Sequence, residues 1–564
     1  MQDKIVVTDI YWHNIYLNIT LQGENRDLYK YFISNLKGEQ YPLEMQNGVC
    51  VINIVNLPET ELLKNGKWYL IAEKDEKYIL VNISSECGYK LENLDKIYRY
   101  GKEKYAYLIT FSVKDSLEML QGTEIPPIAG PAAVSAEDEF QNDMVCCIHT
   151  SYMMLNRRND KRNILIESKN VRELCKKAAF IILKRGINFA YCILAAFRRK
   201  DGKHILLMSE TRAPISGNLL ALDKRLKERG LDKTYKISYS FAKTLQQSKW
   251  MTLKEWSRLL WLMAKQDIIF VDDYVPVFKT IHLKKDTKLV QLWHAGVGFK
   301  SVGYSRFGRQ GSPHPTDSCH RRYDYAVVGG KGLIPVYEEV FGIPSKQILP
   351  YGLARLDGYL EPEPIERYRE KFYQKYPELK NRQIILFAPT YRGKTQEEAF
   401  YPMSWIPQED VAEMCKDQYV FAFKMHPFIN EKVQIDEKFR SCIYDFSDEG
   451  DINELFYVTD ILITDFSSNI YEFSLQRKPI IFYAPDKDYY QLTRGVHRTL
   501  DEAPGPVCTS FNEVMDVISR KQFEKKKLDA FIDESFDEHN KNSSDLLIDN
   551  LILNNTEEQR GNNL

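Results

Sequence analysis

At 564 residues and 66.0 kDa the chain is too long for one hydrophobic core and, at ~150 residues per unit, divides into roughly three or four. Its 77 Lys and Arg against 78 Asp and Glu exclude a global basic field that would draw it onto nucleic acid, and 12 % aromatic content with 35 Tyr excludes a disordered chain. Ten scattered cysteines, with no C-x-x-C pair, exclude that metal or redox motif and fit reduced cytosolic thiols.

The first residues, MQDKIVVTDIYWHNIYLNI, lack a basic start followed by a long apolar run, so no signal peptide is expected. No run of ~18 apolar residues is present to span a bilayer. Residues 1–165 carry short, alternating, Tyr-rich and β-branched runs at 4–9, 15–21, 48–55, 68–72, 77–83 and 105–113, which predicts a small antiparallel β-rich domain. Pro126, Pro127 and Pro131 among acidic residues mark 123–143 as a linker or long loop. Trp12 and His13 are expected to be packing residues.

Residues 170–200, NVRELCKKAAFIILKRGINFAYCILAAFRRK, are the most apolar helical candidate. Lys176, Lys177, Lys184 and Arg185 interrupt its apolar clusters, and Arg198, Arg199 and Lys200 close it, so it is too broken to span. It fits either a helix lying on an anionic membrane, basic residues at the headgroups, or a connecting helix packed on the next domain.

From 201 the pattern alternates strands and helices. Strand candidates at 204–208, 235–239, 267–271, 289–293, 325–328 and 347–350 predict a doubly wound α/β domain over 201–360. After a charged helix at 364–376, candidates at 384–388, 419–424, 442–444, 461–464, 480–483 and 506–508 predict a second α/β domain over 361–530, and 531–564 reads as a C-terminal helix and polar tail. Two such domains in tandem form a cleft between the carboxyl ends of their strands, where ligands of open α/β sheets bind.

The stretch 460–485, DILITDFSSNIYEFSLQRKPIIFYAP, reads as strand, polar turn, short helix, strand. Its turn offers Thr464, Asp465, Ser467 and Ser468, with two hydroxyls at an expected helix N-terminus, a ready anion site. The same residue types are what any N-cap prefers, so the turn alone decides nothing.

Other expected strand ends deliver further chemistry. One runs into His294 and a Gly-containing loop through Lys300; others run into His426, into Thr390, Tyr391 and Arg392, and into Gly352, Arg355 and Asp357. Histidine takes a proton near neutral pH, Arg and Lys neutralise phosphate oxygens, and glycine lets backbone approach a ligand. Together these suit transfer of a phosphoryl-containing group. No G-x-x-x-x-G-K-S/T marks a P-loop, and no G-x-G-x-x-G follows a strand. Asp272, Asp273 and Asp465 could hold Mg²⁺, but no ligand spacing demands it, so no cofactor or metal is expected.

The segments QLWHAGVGFKSVGYSR (291–306), LPYGLARLD (349–357), ILFAPTYRG (385–393), FKMHPF (423–428) and DINELFYVTDILITDFSSNIYEF with KPIIFYAP (451–485) resemble the CDP-glycerol glycerophosphotransferase family, the teichoic acid primases and polymerases of Gram-positive bacteria. SETRAPISGNLLAL (209–222) and DIIFVDDYVP (267–276) further resemble its ribitol-phosphate polymerase subgroup, which also carries a β-rich N-terminal region.

The resemblance implies a GT-B-type pair of doubly wound domains preceded by the β-rich domain. It also implies transfer of ribitol or glycerol phosphate from a CDP-polyol to the hydroxyl end of a lipid-linked chain, with release of CMP. By position, His294 and His426 match the essential histidines, His294 as general base. Phe299, Lys300, Ser301, Val302, Gly303, Arg355, Thr390, Tyr391, Arg392, Ser467, Ser468 and Glu472 match positions expected to hold the CDP-polyol. The H-A-x-G-x-F-K loop, Ala354 in place of a common Pro, and Glu472 in place of an Asp depart from the pattern and bear on which polyol is used.

The expected partners are the CDP-polyol donor, a lipid-linked polyol-phosphate acceptor and an anionic membrane surface, with no nucleic acid; the expected location is the cytoplasmic face of the cell membrane, peripherally bound. Oligomeric state is not legible. The alternatives are a catalytically idle nucleotide- or glycan-binding module and a nucleotide-sugar glycosyltransferase on the same fold.

Overall fold

The computed structural model describes residues 5–54, 57, 63–75, 77–100, 105–115, 144–154, 167–198, 200–210, 214–241, 253–293, 299, 301–306, 313, 318–393, 397–416, 418–488, 490, 496–537 and 541–554; in the helix 167–196, side chains are described from 182 onward. The chain forms two compact units, one of Met1–Ala179 with Val302–Arg321 and Glu339–Ile343, the other of Phe180–Ser301, Arg322–Glu338 and Pro344–Leu564.

The first unit holds eleven strands: β1 (Val6–His13), β2 (Tyr16–Gln22), β3 (Lys30–Ser34), β4 (Gln40–Gln46), β5 (Val49–Asn53), β6 (Gly66–Lys74), β7 (Lys77–Leu80), β8 (Asn82–Ile83), β9 (Lys96–Tyr100), β10 (Tyr105–Asp115) and β11 (Met144–Met154). Leu17, Ile19 and Leu21 bury alternate positions, as do Trp68, Leu70 and Ala72, and these join Tyr31, Ile33, Tyr107 and Ile148 in one core. The sheet runs β7-β6-β3-β4-β5-β2-β1-β8-β11-β10-β9, and a further pairing of β6 with β11 closes eight of the strands into a ring. The expected small antiparallel β-rich domain is thus barrel-like, with a parallel pair, β1 with β8, among the described strands. Closure removes sheet edges, and it depends on pairings remote in sequence that periodicity cannot show.

Trp12 does pack here: its indole N–H donates to the Leu94 carbonyl at 2.8 Å and its ring meets Tyr98 and Phe111 edge-on. His13, expected to pack, is exposed at the end of β1, because the tight turn at Asn14 carries it out to solvent. The expected linker 123–143 lies outside the described residues.

The second unit contains two parallel six-stranded sheets. Strands β12 (His204–Ser209), β13 (Lys236–Phe241), β14 (Ile268–Val271), β15 (Lys288–Gln291), β16 (Tyr325–Val327) and β17 (Ile348–Leu349) run in the order β13-β12-β14-β15-β16-β17. Strands β18 (Gln383–Phe387), β19 (Tyr419–Phe423), β20 (Ile443–Asp445), β21 (Ile461–Thr464), β22 (Ile480–Tyr483) and β23 (Val507–Cys508) run in the order β20-β19-β18-β21-β22-β23. Central strands such as Ile268–Val271 and Ile461–Thr464 are buried at every residue, as expected of sheets covered on both faces. The order reverses between β12 and β14 in one sheet and between β18 and β21 in the other. At such switch points the connections diverge and leave a crevice outside the strand ends.

The chain end returns to the first of these sheets. Leu547, Ile548, Leu551 and Ile552 join the core of Leu219, Leu222 and Leu226, while the Asp357 carboxylate accepts the backbone N–H groups of Ser543 at 2.9 Å and Ser544 at 2.8 Å.

Candidate functional site

At the β18/β21 switch point, one chain leaves β18 through Thr390, Tyr391 and Arg392, and the other leaves β21 through Asp465, Ser467 and Ser468. Asp465 ties them together. Its Oδ1 accepts the Thr390 N–H at 2.7 Å, and its Oδ2 accepts from Arg392 Nη1 at 2.9 Å. Arg392 also pairs through two nitrogens with Asp486, at 2.7 and 2.8 Å, and donates to the Thr390 carbonyl at 2.7 Å. The rings of Tyr401, Trp405 and Tyr490 surround the guanidinium.

The two carboxylates beside Arg392 outweigh its burial and hold its pKa above the ordinary value. Arg392, expected to touch the CDP-polyol, is therefore committed to Asp465 and Asp486 as an internal strut. Thr390 keeps a donor to offer, since its Oγ1 is buried without a hydrogen-bond partner.

Beyond β19, His426 Nδ1 accepts the backbone N–H of Phe428 at 3.2 Å, and its ring lies 4.8 Å from that of Tyr391. With Nδ1 accepting, the neutral imidazole carries its proton on Nε2 and presents a donor there.

The serine turn departs from expectation. The helix after β21 is Ile470–Ser474, its N-cap is Asn469 with no side-chain cap, and Ser467 Oγ instead accepts the Asn469 N–H at 3.3 Å. Ser467 and Ser468 thus precede the cap and remain partly accessible.

Glu472, on that helix, is ion-paired with Arg355, from the turn after β17, so residues of the two sheets meet directly. Both side chains are at most 10 % exposed, and Arg355 Nη1 is buried without a hydrogen-bond partner. The Phe299 ring lies 5.9 Å from that of Phe482 of β22, tilted by 33°, and the Phe299 carbonyl accepts the His497 N–H at 3.2 Å. Ser301 Oγ is also buried without a partner. Val302 and Gly303 belong to the first unit, where a Cβ on Gly303 would lie 2.0 Å from the Val340 carbonyl oxygen. His294 and Lys300 lie outside the described residues.

The β12/β14 switch point is acidic. Asp273 Oδ2 accepts from Ser209 Oγ at 2.8 Å and from the Glu210 N–H at 3.1 Å. Burial, with Asp273 close by, pushes the Glu210 carboxyl up to about 8, so it holds its proton at neutral pH. Of the three carboxylates considered for Mg²⁺, Asp465 and Asp273 are thus engaged with protein donors.

Sequence reasoning missed Asp486, Glu210, Asn218 and Gln291. Asp486 lies 94 residues from the arginine it holds, and nothing local marks that partnership. Asn218 and Gln291 fall inside segments that carry the family resemblance, which was their only signal.

On the helix Glu167–Ala196, expected over 170–200 as either a membrane-surface or a connecting helix, Tyr191 and Ala195 are buried, while Ile182, Phe189, Ile193 and the following Phe197 are exposed. Arg185 is exposed and Lys184 half-buried; the side chains of Lys176 and Lys177 lie outside the described residues. Arg198 stacks 3.4 Å over the half-exposed Trp261, whereas Lys200 is taken up by Asp286 and Thr287. Among the described residues no helix is long and apolar enough to cross a membrane.

The profile of the family described as CDP-Glycerol:Poly(glycerophosphate) glycerophosphotransferase matches residues 190–553. The teichoic acid ribitol-phosphate polymerase TarL of Staphylococcus aureus is 30 % identical over 575 residues, 98 % of this chain and 100 % of that one. The ribitol-phosphate polymerase TarK of the same organism is 35 % identical over 63 % of this chain and 69 % of its own. The solved structure of the wall teichoic acid polymerase TagF covers 70 % of this chain and 99 % of its own with a TM-score of 0.52 at 19 % identity, a likeness of fold.

Proposed function

The chain belongs to the CDP-glycerol:poly(glycerophosphate) glycerophosphotransferase family, and from that premise we propose that it moves polyol phosphate from a CDP-polyol onto the hydroxyl end of a lipid-linked teichoic-acid-type chain. The acceptor oxygen attacks the phosphorus that bears the polyol, the bond from that phosphorus to the CMP oxygen breaks, and CMP leaves. The acceptor proton passes to His294 as general base, while His426, a donor through Nε2, stabilises charge on the transferring phosphate.

The two parallel-sheet domains form a GT-B-type pair in this reading. Arg355, Thr390, Tyr391, Ser467 and Ser468 face the donor, and the family resemblance adds Phe299, Lys300, Ser301, Val302 and Gly303 as donor-binding positions by sequence match alone. Arg392 and Glu472 hold that site in shape through Asp465, Asp486 and Arg355.

The observation that carries this reading is the pair of buried donors without partners, Arg355 Nη1 and Thr390 Oγ1, at strand ends of the two sheets. Such groups call for a polar ligand. Incubating the protein with CDP-ribitol, CDP-glycerol and UDP-sugars, with a lipid-linked acceptor, tests it. CMP released from a CDP-polyol supports the reading. UDP release, or binding with no turnover, overturns it in favour of a glycosyltransferase or an idle module.

The acceptor's lipid keeps it at a bilayer, so the reading includes peripheral binding at the cytoplasmic face of the cell membrane. The exposed stripe Ile182, Phe189 and Ile193, flanked by Lys184 and Arg185, supports an anionic surface as the partner.

A further inference from the structure

Trp293 ends the strand segment that leads into His294, and its φ of 50° puts a bulky residue in the left-handed region. That conformation costs on the order of 1 kcal/mol or more and persists only where the surroundings impose it. Here two buried amides impose it. Gln291 Oε1 accepts the Trp293 N–H at 2.8 Å, while Gln291 Nε2 is anchored on the Asp273 carbonyl at 2.8 Å. Asn218 Nδ2 donates to the Trp293 carbonyl at 2.5 Å and to the Leu292 carbonyl at 3.3 Å.

The Trp293 carbonyl belongs to the planar peptide that continues the chain into residue 294, so a fixed oxygen fixes the direction in which the chain departs. The other end of the same Asn218 side chain is also used: Oδ1 accepts the backbone N–H of Arg355 at 3.1 Å, and the Arg355 guanidinium pairs with Glu472. Asn218 sits at the first turn of the helix Gly217–Glu228 and is 2 % exposed, and Gln291 is fully buried. An amide so placed satisfies donors and acceptors that neither a carboxylate nor an apolar side chain of the same size can serve together.

We infer that Asn218 is a positioning residue for the transfer reaction, acting with Gln291 to hold the Trp293 peptide, and so the entry to His294, in register with the donor-side Arg355–Glu472 pair. The inference rests on the proposed transferase reading and adds to it a device in which one side chain holds both the Trp293 peptide and the backbone of Arg355, whose guanidinium reaches Glu472 of the second parallel-sheet domain.

Asn218→Asp is nearly isosteric and keeps the acceptor for Arg355, but it sets an oxygen against the Trp293 and Leu292 carbonyls. In steady-state assays of CMP release we expect its kcat to fall roughly 10²-fold, the loss typical of a misplaced reacting group, with KM for the CDP-polyol held within about threefold. Gln291→Met, which touches only the N–H side of the Trp293 peptide, should show the same split. Asn218→Ala, which also frees the Arg355 backbone, should raise KM as well.

Wild-type turnover with a CDP-polyol is the reference for all three, so inactive wild type would defeat the functional reading and not this one. Against active wild type, near-normal kcat in a folded Asn218→Asp or Gln291→Met variant overturns the inference. So does a loss that appears equally in kcat, CDP affinity and thermal midpoint, which marks a merely structural role.

Discussion

Asp465 Oδ1 lies 2.7 Å from the backbone nitrogen of Thr390, so one fully buried carboxylate bridges the loops that leave β18 and β21 on either side of the switch point. Its other oxygen binds Arg392, which binds Asp486 in turn. Arg392→Met would strand Asp465 in the interior, and we predict a loss of about 3–5 kcal/mol of stability, the usual cost of breaking a buried ion pair from one side. Urea unfolding checks this. A variant of wild-type stability that has lost only CDP-polyol affinity would instead make Arg392 a phosphate ligand.

For the histidines, alanine at either His294 or His426 is expected to lower kcat by roughly 10² or more while the fold survives. The two should separate with glutamine. The hydrogen bond to Nδ1 makes His426 a donor through Nε2, a role a Gln amide partly replaces, so His426→Gln should recover part of the lost turnover. A base cannot be so replaced, and His294→Gln should stay as inactive as His294→Ala. Equal behaviour of the two Gln variants in single-turnover assays would contradict this division of roles.

Ser467 and Ser468 precede the helix cap, and only Ser467 Oγ touches it, accepting the Asn469 N–H at 3.3 Å, so their removal should cost little stability. We predict that the double variant Ser467→Ala, Ser468→Ala raises KM for the CDP-polyol about tenfold through two lost charge-assisted hydrogen bonds to phosphate. Unaltered KM with a lowered thermal midpoint would assign both hydroxyls to folding alone.

Glu210 supplies a pH dependence. Its carboxyl titrates at about 8 in the folded protein against an ordinary value of 4.5, because burial, with Asp273 nearby, disfavours the charge. Between these values the unfolded chain has released a proton that the folded chain keeps, so this group's contribution to stability declines as pH rises from about 5 to 8. Glu210→Gln removes the decline. Its stability relative to wild type should therefore grow across that window, and a difference that stays constant between pH 5 and pH 8 would count against the assignment.

Membrane association should be electrostatic and reversible. The protein is predicted to sediment with anionic vesicles and to be released by high salt, each basic residue contributing about 1 kcal/mol at the surface. Binding should weaken when Lys176, Lys177, Lys184 and Arg185 become Gln, and again in Phe189→Ser, which removes an exposed ring from the apolar stripe. Retention insensitive to both changes would place the contact elsewhere on the protein.

Periodicity and strand-end chemistry were enough to locate both parallel sheets. Runs such as ILIT at Ile461–Thr464 and VFAF within Tyr419–Phe423 are apolar because both faces are covered, and that composition is local and visible in the sequence. His426, Thr390 and Arg355 could be named for the same reason: each stands a few residues beyond such a run. What the sequence could not determine is which of these groups face a ligand and which face each other. Arg392 and Glu472 match ligand-binding positions, yet Asp486, 94 residues from Arg392, and Arg355, 117 residues from Glu472, take them as partners. The closure of β6 on β11, the left-handed Trp293 and the amides that hold it likewise depend on contacts between distant segments. Hydrogen bonding and ion pairing are satisfied in space, so only the tertiary structure decides where a buried charge or a strained peptide finds its counterpart.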